Sequence, residues 1–326
     1  MPWQHEAIEE IDDILCIIMK ADKYQILANT LKVLLQNAWE SLKEAAIEEA
    51  FQELEKGEGD LTEDDVKQLL SSLEVKLGEP LFKACLQIVA DHQTKAYKQA
   101  FKKIDGKTTN VEFSFNKTSK DALKWLRENE TYWIGKFYSN QITGKLDATL
   151  NEFAKGIFEQ GLSRAEGGKL LRSACKDFFD KPEGFKGHIT EYWEGLSDHI
   201  TTRAREFGRV DAYDRAGIKY AKIVAVMDAR TSEICKHMNG RVFPVSHLRD
   251  IRDKLMAANS PEEAKDVSPW LKTAQITEQV AGKSTKDLLS GDLTKTLASP
   301  PYHFKCRTIT VGATQEEYDN QDKKDS

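Results

Sequence analysis

Between Ala21 and Leu54 the apolar residues Tyr24, Leu27, Leu31, Leu34, Ala38, Leu42 and Ala46 recur every three or four positions with charges between them. That spacing predicts a long amphipathic helix. Gly57-Glu58-Gly59 breaks it, and Thr62 followed by Asp65 forms a capping-box-like start for a helix over Glu63 to Leu77. Pro80 suits the first turn of a further helix that runs to about Ile104 and stops at Asp105-Gly106. Residues 107–115 alternate Val111, Phe113 and Phe115 with polar residues, which reads as a short strand or an extended connector.

Helical spacing resumes after Thr118 or Ser119, either of which can cap a helix carrying Ala122, Leu123, Leu126, Tyr132 and Ile134, and another helix is expected from Gly144 to Gln160. Gly161-Leu162-Ser163 reads as a stop followed by an N-cap, with Glu166 closing the box. From Phe185 through Trp193, Ile200 and Phe207 to Asp211 the three-four spacing persists, predicting one long helix ending near Gly217. The period then changes: 218–227 is β-rich, 240–245 and 308–311 are two further short strand candidates, and 246–298 is helix and loop, with Ser260-Pro261-Glu262-Glu263 a helix start. The expected fold is therefore mainly α with a small C-terminal α+β unit, long amphipathic helices followed by a short antiparallel β-hairpin and one further strand. We expect a helical N-terminal region over 1–110, a second domain over 116–313 and a disordered polar tail over 314–326.

Composition changes this picture in one respect. The 326 residues carry a net charge of −6, but the first 80 hold 19 acidic and 7 basic side chains, and the remainder 34 acidic and 40 basic. An acidic head precedes a mildly basic body. The body's excess is too diffuse for a strong nucleic-acid footprint; the best local cluster is Lys95, Lys98, Lys102, Lys103 and Lys107. The apolar run Ile14 to Met19 is far short of the ~20 residues that span a bilayer, so no signal peptide or membrane anchor is expected. Five cysteines in a chain this long do not make a disulfide framework, and a reducing, intracellular setting is the expectation.

Two of those cysteines sit in the segments that hold the candidate chemistry, 228–243 and 300–307. Cys235, His237, His303 and Cys306 suit a zinc ion, which prefers thiolate and imidazole in a tetrahedral set. Three other readings stay open: small buried cysteines with hydrogen-bonded turn histidines, a disulfide, or a nucleophilic enzyme site of Cys235, His303 and Asp228, with or without a metal. Asp228 ahead of Arg230-Thr231 has the chemistry of an Asx turn, Asn239-Gly240 offers two positive-φ residues for a tight hairpin turn, and Arg307 can pair with Asp228. Pro300-Pro301 stiffens the approach to His303 and Cys306.

The pattern Asp228-x-Arg230-Thr231-x3-Cys235-x4-Gly240-x2-Phe243, followed after a long insertion by Pro301-x-His303-x2-Cys306-Arg307, resembles the phage Mu F-like family of minor head, or head morphogenesis, proteins. Thr202-Arg203-Ala204 on a long helix and Gly217-Ile218-Lys219-Tyr220 leading into a strand are similar to that family's approach to its motif. The resemblance covers roughly residues 145–311 and centres on 190–311. It implies a capsid-interior protein of the virion or procapsid, made in the host cytoplasm. The implied partners are the portal, scaffold or major capsid protein, with DNA contact a further expectation. Many members have Cys-x-x-Cys where this chain has Cys235-Lys236-His237-Met238, so a four-ligand zinc site carries over only with His237 as substitute.

Overall fold

The computed structural model describes residues 2–101, 114–137, 144–180, 187–290, 299–303 and 305–321. It is mainly helical, with one small antiparallel sheet near the C-terminal end. The expected strand or connector at 107–115 falls almost wholly outside the described residues, as do Lys102, Lys103 and Lys107. Among the described residues no helix is long and apolar enough to cross a membrane. The chain divides into two compact units that are discontinuous in sequence. One comprises Met1–Thr30, Ala90–Asn129 and Gly195–Ser326, the other Leu31–Val89 and Glu130–Glu194. Neither coincides with the linear segments 1–110 and 116–313. The reason is that the long helices α1 (Pro2–Glu55), α2 (Glu63–Ala100), α3 (Lys117–Phe137) and α6 (Gly187–Ala216) each contribute residues to both units.

In the second unit, α4 (Gly144–Phe158) and α5 (Arg164–Asp180) accompany parts of α1 and α2. The predicted caps are present. Thr62 and Asp65 exchange hydrogen bonds at the start of α2, and Ser163 accepts from the Glu166 N–H while its hydroxyl donates to the Glu166 carboxylate. Asp65 also pairs with Arg164 at 2.9 Å. Pro80 departs from expectation: it lies inside α2 and starts no new helix. A mid-helix proline costs roughly 3 kcal/mol, and α2 continues through it because Leu77, Leu81 and Cys85 on either side are essentially fully buried. The α3 cap also differs: Asn116, two residues before Thr118, accepts the Ser119 N–H through its side chain.

The first unit contains the sheet. β1 (Tyr220–Val224) is its central strand, with β2 (Val242–Pro244) on one side and β3 (Ile309–Ala313) on the other, both antiparallel. Ala221 and Ile223 face the core, whereas Tyr220 and Lys222 point outward. The β1–β2 connection is not the tight hairpin expected. It holds the helix α7 (Glu233–Met238), and only Gly240 has positive φ, +82° against −60° at Asn239. These angles with the Arg241 N–H to Met238 carbonyl bond make a type II turn. The stretch 246–298 carries α8 (Val245–Ala257), α9 (Pro261–Val267), α10 (Thr273–Gln279) and α11 (Thr285–Ser290).

Both sheet edges are closed by side chains. Along β3, Arg205 donates to the Thr308 carbonyl, Arg209 and Tyr213 donate to the Thr310 carbonyl, and Glu206 accepts from the Thr310 N–H and hydroxyl. These α6 side chains stand where another strand's backbone would, and they are buried. Along β2, the Gln321 side chain accepts from the Val242 N–H and donates to its carbonyl, while Pro244 has no N–H to offer. The segment leading to Gln321 corrects the expectation of a disordered tail. Gln315–Asn320 form α12, started by a Thr314–Glu317 capping box and held over the sheet by a Tyr220–Tyr318 ring stack and a Lys222–Glu317 ion pair.

Candidate metal centre

The chain leaves β1 into an exposed loop ordered by Asp228. Its carboxylate accepts the Arg230 N–H, its own N–H donates to the Thr231 hydroxyl, and that hydroxyl donates to the Val226 carbonyl. This is the expected Asx turn. It delivers Ser232 as N-cap of α7, whose periodicity turns Ile234, Cys235 and Met238 into the core. At the other end of the insertion, buried Pro300 and Pro301 are joined by a cis peptide bond, Tyr302 is buried, and His303 is half-buried. Lys305 follows with φ +58°, a left-handed turn that returns the chain so that Cys306 points inward. Thr202 on α6 donates to the Cys306 carbonyl.

The two segments meet at two points. At the surface, Arg307 Nη1 and Nη2 donate to Asp228 Oδ2 and Oδ1 at 2.8 and 2.6 Å. Deeper, Cys235 Sγ lies 3.8 Å from Cys306 Sγ and 3.2 Å from His303 Nε2, and Ser232 Oγ lies 2.7 Å from the same His303 nitrogen. Cys235, His303 and Cys306 present one donor atom each within 4.8 Å of one another. Arg230 contributes its backbone N–H and keeps an exposed side chain, and Gly240 serves the turn behind α7.

The sulfurs are electrostatically unequal. The contact with Cys306 and then burial push the Cys235 thiol up, so it keeps its proton. Burial pushes Cys306 the same way, but hydrogen bonds from Cys235 and His303 outweigh it and hold Cys306 well below the ordinary thiol value. The first negative charge therefore belongs on Cys306. Burial holds the neighbouring His199 neutral far below its ordinary range, with Arg203 and His303 adding to the effect. The Arg307 contact holds the Asp228 carboxyl well below the usual carboxylate range.

These donors fit zinc. With Zn–S about 2.3 Å and Zn–N about 2.0 Å, a tetrahedral site has S···S and S···N edges of roughly 3.8 and 3.5 Å, close to the 3.8 and 3.2 Å found. The predicted fourth ligand, His237, is not in the cluster. Residues two apart on a helix point about 200° apart, so α7 turns His237 away from the face that carries Cys235. Its place beside the imidazole is taken by Ser232, one helical turn before Cys235, a residue type that Cys and His spacing alone does not reveal. Thr308 is a further polar neighbour: with Ser232 it partly offsets the upward push on the Cys235 thiol. Asp228 lies outside the cluster of Cys235, His303 and Cys306, and its carboxylate is engaged by Arg307 and the Arg230 N–H.

No known protein family, no curated protein and no solved structure matches this chain.

Proposed function

We propose that this chain is a minor capsid or head-morphogenesis protein of a tailed phage or prophage. It would act with the portal, scaffold or major capsid protein in the procapsid interior. The observation that carries the reading is the Asp228–Arg307 pair. It ties together the two halves of the motif that resembles the Mu F-like family, across 79 positions of sequence. Beneath it lies the Cys235–Cys306 contact. Residues spent on each other in this way act as a cross-link that fixes the C-terminal unit, a structural role. A zinc ion held by Cys235, His303 and Cys306, with Ser232 or water as fourth ligand, would strengthen the same cross-link.

Co-sedimentation of the full chain with portal rings and procapsids tests this reading. Recovery in both fractions is expected, and absence from procapsids rejects it. The acidic first 80 residues suit a basic protein surface better than DNA, so the association weakens as salt rises. DNA contact by the basic body would be strongest at low salt, and no retention of DNA there removes it from the proposal.

One contact favours an enzymatic reading, the 3.2 Å approach of Cys235 Sγ to His303 Nε2. On that reading Cys235→Ser abolishes a turnover without lowering stability. The structural reading expects the reverse.

A further inference from the structure

We propose that Cys235 and Cys306 form a reversible intramolecular disulfide under peroxide, locking the two motif segments covalently. The inference needs only the thiol pair and stands apart from the head-assembly reading.

Among the described residues these are the cysteines whose sulfurs meet. Their 3.8 Å separation must shrink by roughly 1.7 Å to reach bonding distance. The partners are already in register: Thr202 holds the Cys306 backbone, the Asp228–Arg307 pair fixes the flanking residues, and Ser232 Oγ lies beside the His303 nitrogen next to Cys235. Cys85 and Cys175 are buried on helices of the other unit, where burial pushes both thiols up to about 12. Ser232 and His303, which contact Cys235 or its neighbour, are half-buried, so the thiol pair lies beneath a partly exposed polar rim.

The chemistry balances without another reductant or oxidant. The Cys306 sulfur attacks one peroxide oxygen, the O–O bond breaks, and hydroxide leaves, giving a sulfenic acid. The Cys235 sulfur then attacks the Cys306 sulfur and passes its proton to His303. The S–O bond breaks and hydroxide leaves as the disulfide forms, and the protons from the two thiols convert the hydroxides to water. Two thiols are oxidised while one peroxide is reduced to two waters. The new bond closes a loop between positions 71 apart, which restricts the unfolded chain and leaves the fold as it is.

The test exposes the full-length protein to a hydrogen peroxide series with a chelator present, so that any bound metal is removed from the sulfurs. Remaining thiols are blocked under denaturing conditions, and the chain is digested without reductant for peptide mapping. The expected result is a cross-linked peptide joining Cys235 to Cys306 and lost on reduction, with Cys85 and Cys175 alkylated. The melting temperature should rise on oxidation and return on reduction. The proposal is overturned if both cysteines remain alkylated after oxidation, go on to sulfinic acid without cross-linking, or pair with other cysteines. Mapping the native sequence keeps the result independent of whether Cys235→Ser or Cys306→Ser folds.

Discussion

Arg307 grips the Asp228 carboxylate with both terminal guanidinium nitrogens, at 2.8 and 2.6 Å, while the same carboxylate caps the Arg230 N–H. A planar fork on a planar anion fixes orientation as well as distance. One polar pair thus sets the angle at which two distant segments approach, and it does so at a partly exposed site where the charge itself contributes modestly.

Arg307→Lys keeps the charge and loses the fork, so it should lower the melting temperature, and Arg307→Ala should lower it further. Because the folded carboxyl is held low, its contribution is present above the ordinary carboxylate pKa of about 3.9 and is lost as pH falls below it. Thermal melts from pH 7 to pH 3 should show that acid-side loss in the native protein and a smaller one in Asp228→Asn. Equal slopes for both would separate the pair from acid stability.

His92 gives a second pH dependence. Burial, and then Lys95, lower its pKa to about 4, and its ring nitrogen lies 2.8 Å from the Thr201 hydroxyl. The unfolded chain takes up a proton near pH 6.5 and the folded chain does not, so stability falls as pH drops from about 6.5 towards 4 and then levels. The full effect is on the order of 3 kcal/mol. Urea unfolding at intervals across that range should show the slope, and His92→Gln should reduce it, leaving the share that buried His199 contributes.

Glu206 is completely buried and serves Arg205, Arg209 and Thr310 together. Glu206→Ala removes the buried carboxylate that Arg205, Arg209 and the Thr310 N–H share, which should cost about 3–5 kcal/mol in equilibrium unfolding. A loss under about 1 kcal/mol would mean that water replaces the carboxylate readily.

Gly208 lets α6 touch α2. A Cβ there would stand 2.6 Å from the Tyr97 carbonyl oxygen and 2.9 Å from Ala100 Cβ. Backbone cannot swing aside as a side chain can, so Gly208→Ala should destabilise by roughly 1–3 kcal/mol in denaturant titration despite alanine's better helix propensity.

Elemental analysis decides the metal. Zinc at the three-donor site gives about one ion per chain, lost in His303→Ala and Cys306→Ser and retained in His237→Ala. Retention in His303→Ala would place any zinc elsewhere.

Much of this was legible from the chain. The three-four spacing locates the helices, and the change of period at Gly217 marks the sheet. Asp228 followed by Arg230-Thr231 announces its Asx turn, and the crowding of Cys and His into two short segments points to Cys235, His303 and Cys306. His237 misled because two ligands one residue apart suit a turn, whereas this segment is helical and turns them to opposite faces. Pro80 and residues 314–321 misled for a related reason: each reads as a breaker or a polar end until buried Leu77, Leu81 and Cys85 carry the helix through one and Tyr220 stacks on the other.

Helix, strand and turn types follow from side chains within a few positions of each other, and those interactions are written in the sequence itself. Tertiary structure alone decided that Glu206 and two arginines of one helix would finish the edge of β3, that Gln321 would finish β2, and that Cys235 would meet Cys306. Each of those contacts joins residues 71 to 104 positions apart. Local periodicity says which face of an element is apolar, but not which distant backbone or sulfur that face will meet, because the choice is made by the packing of all elements at once.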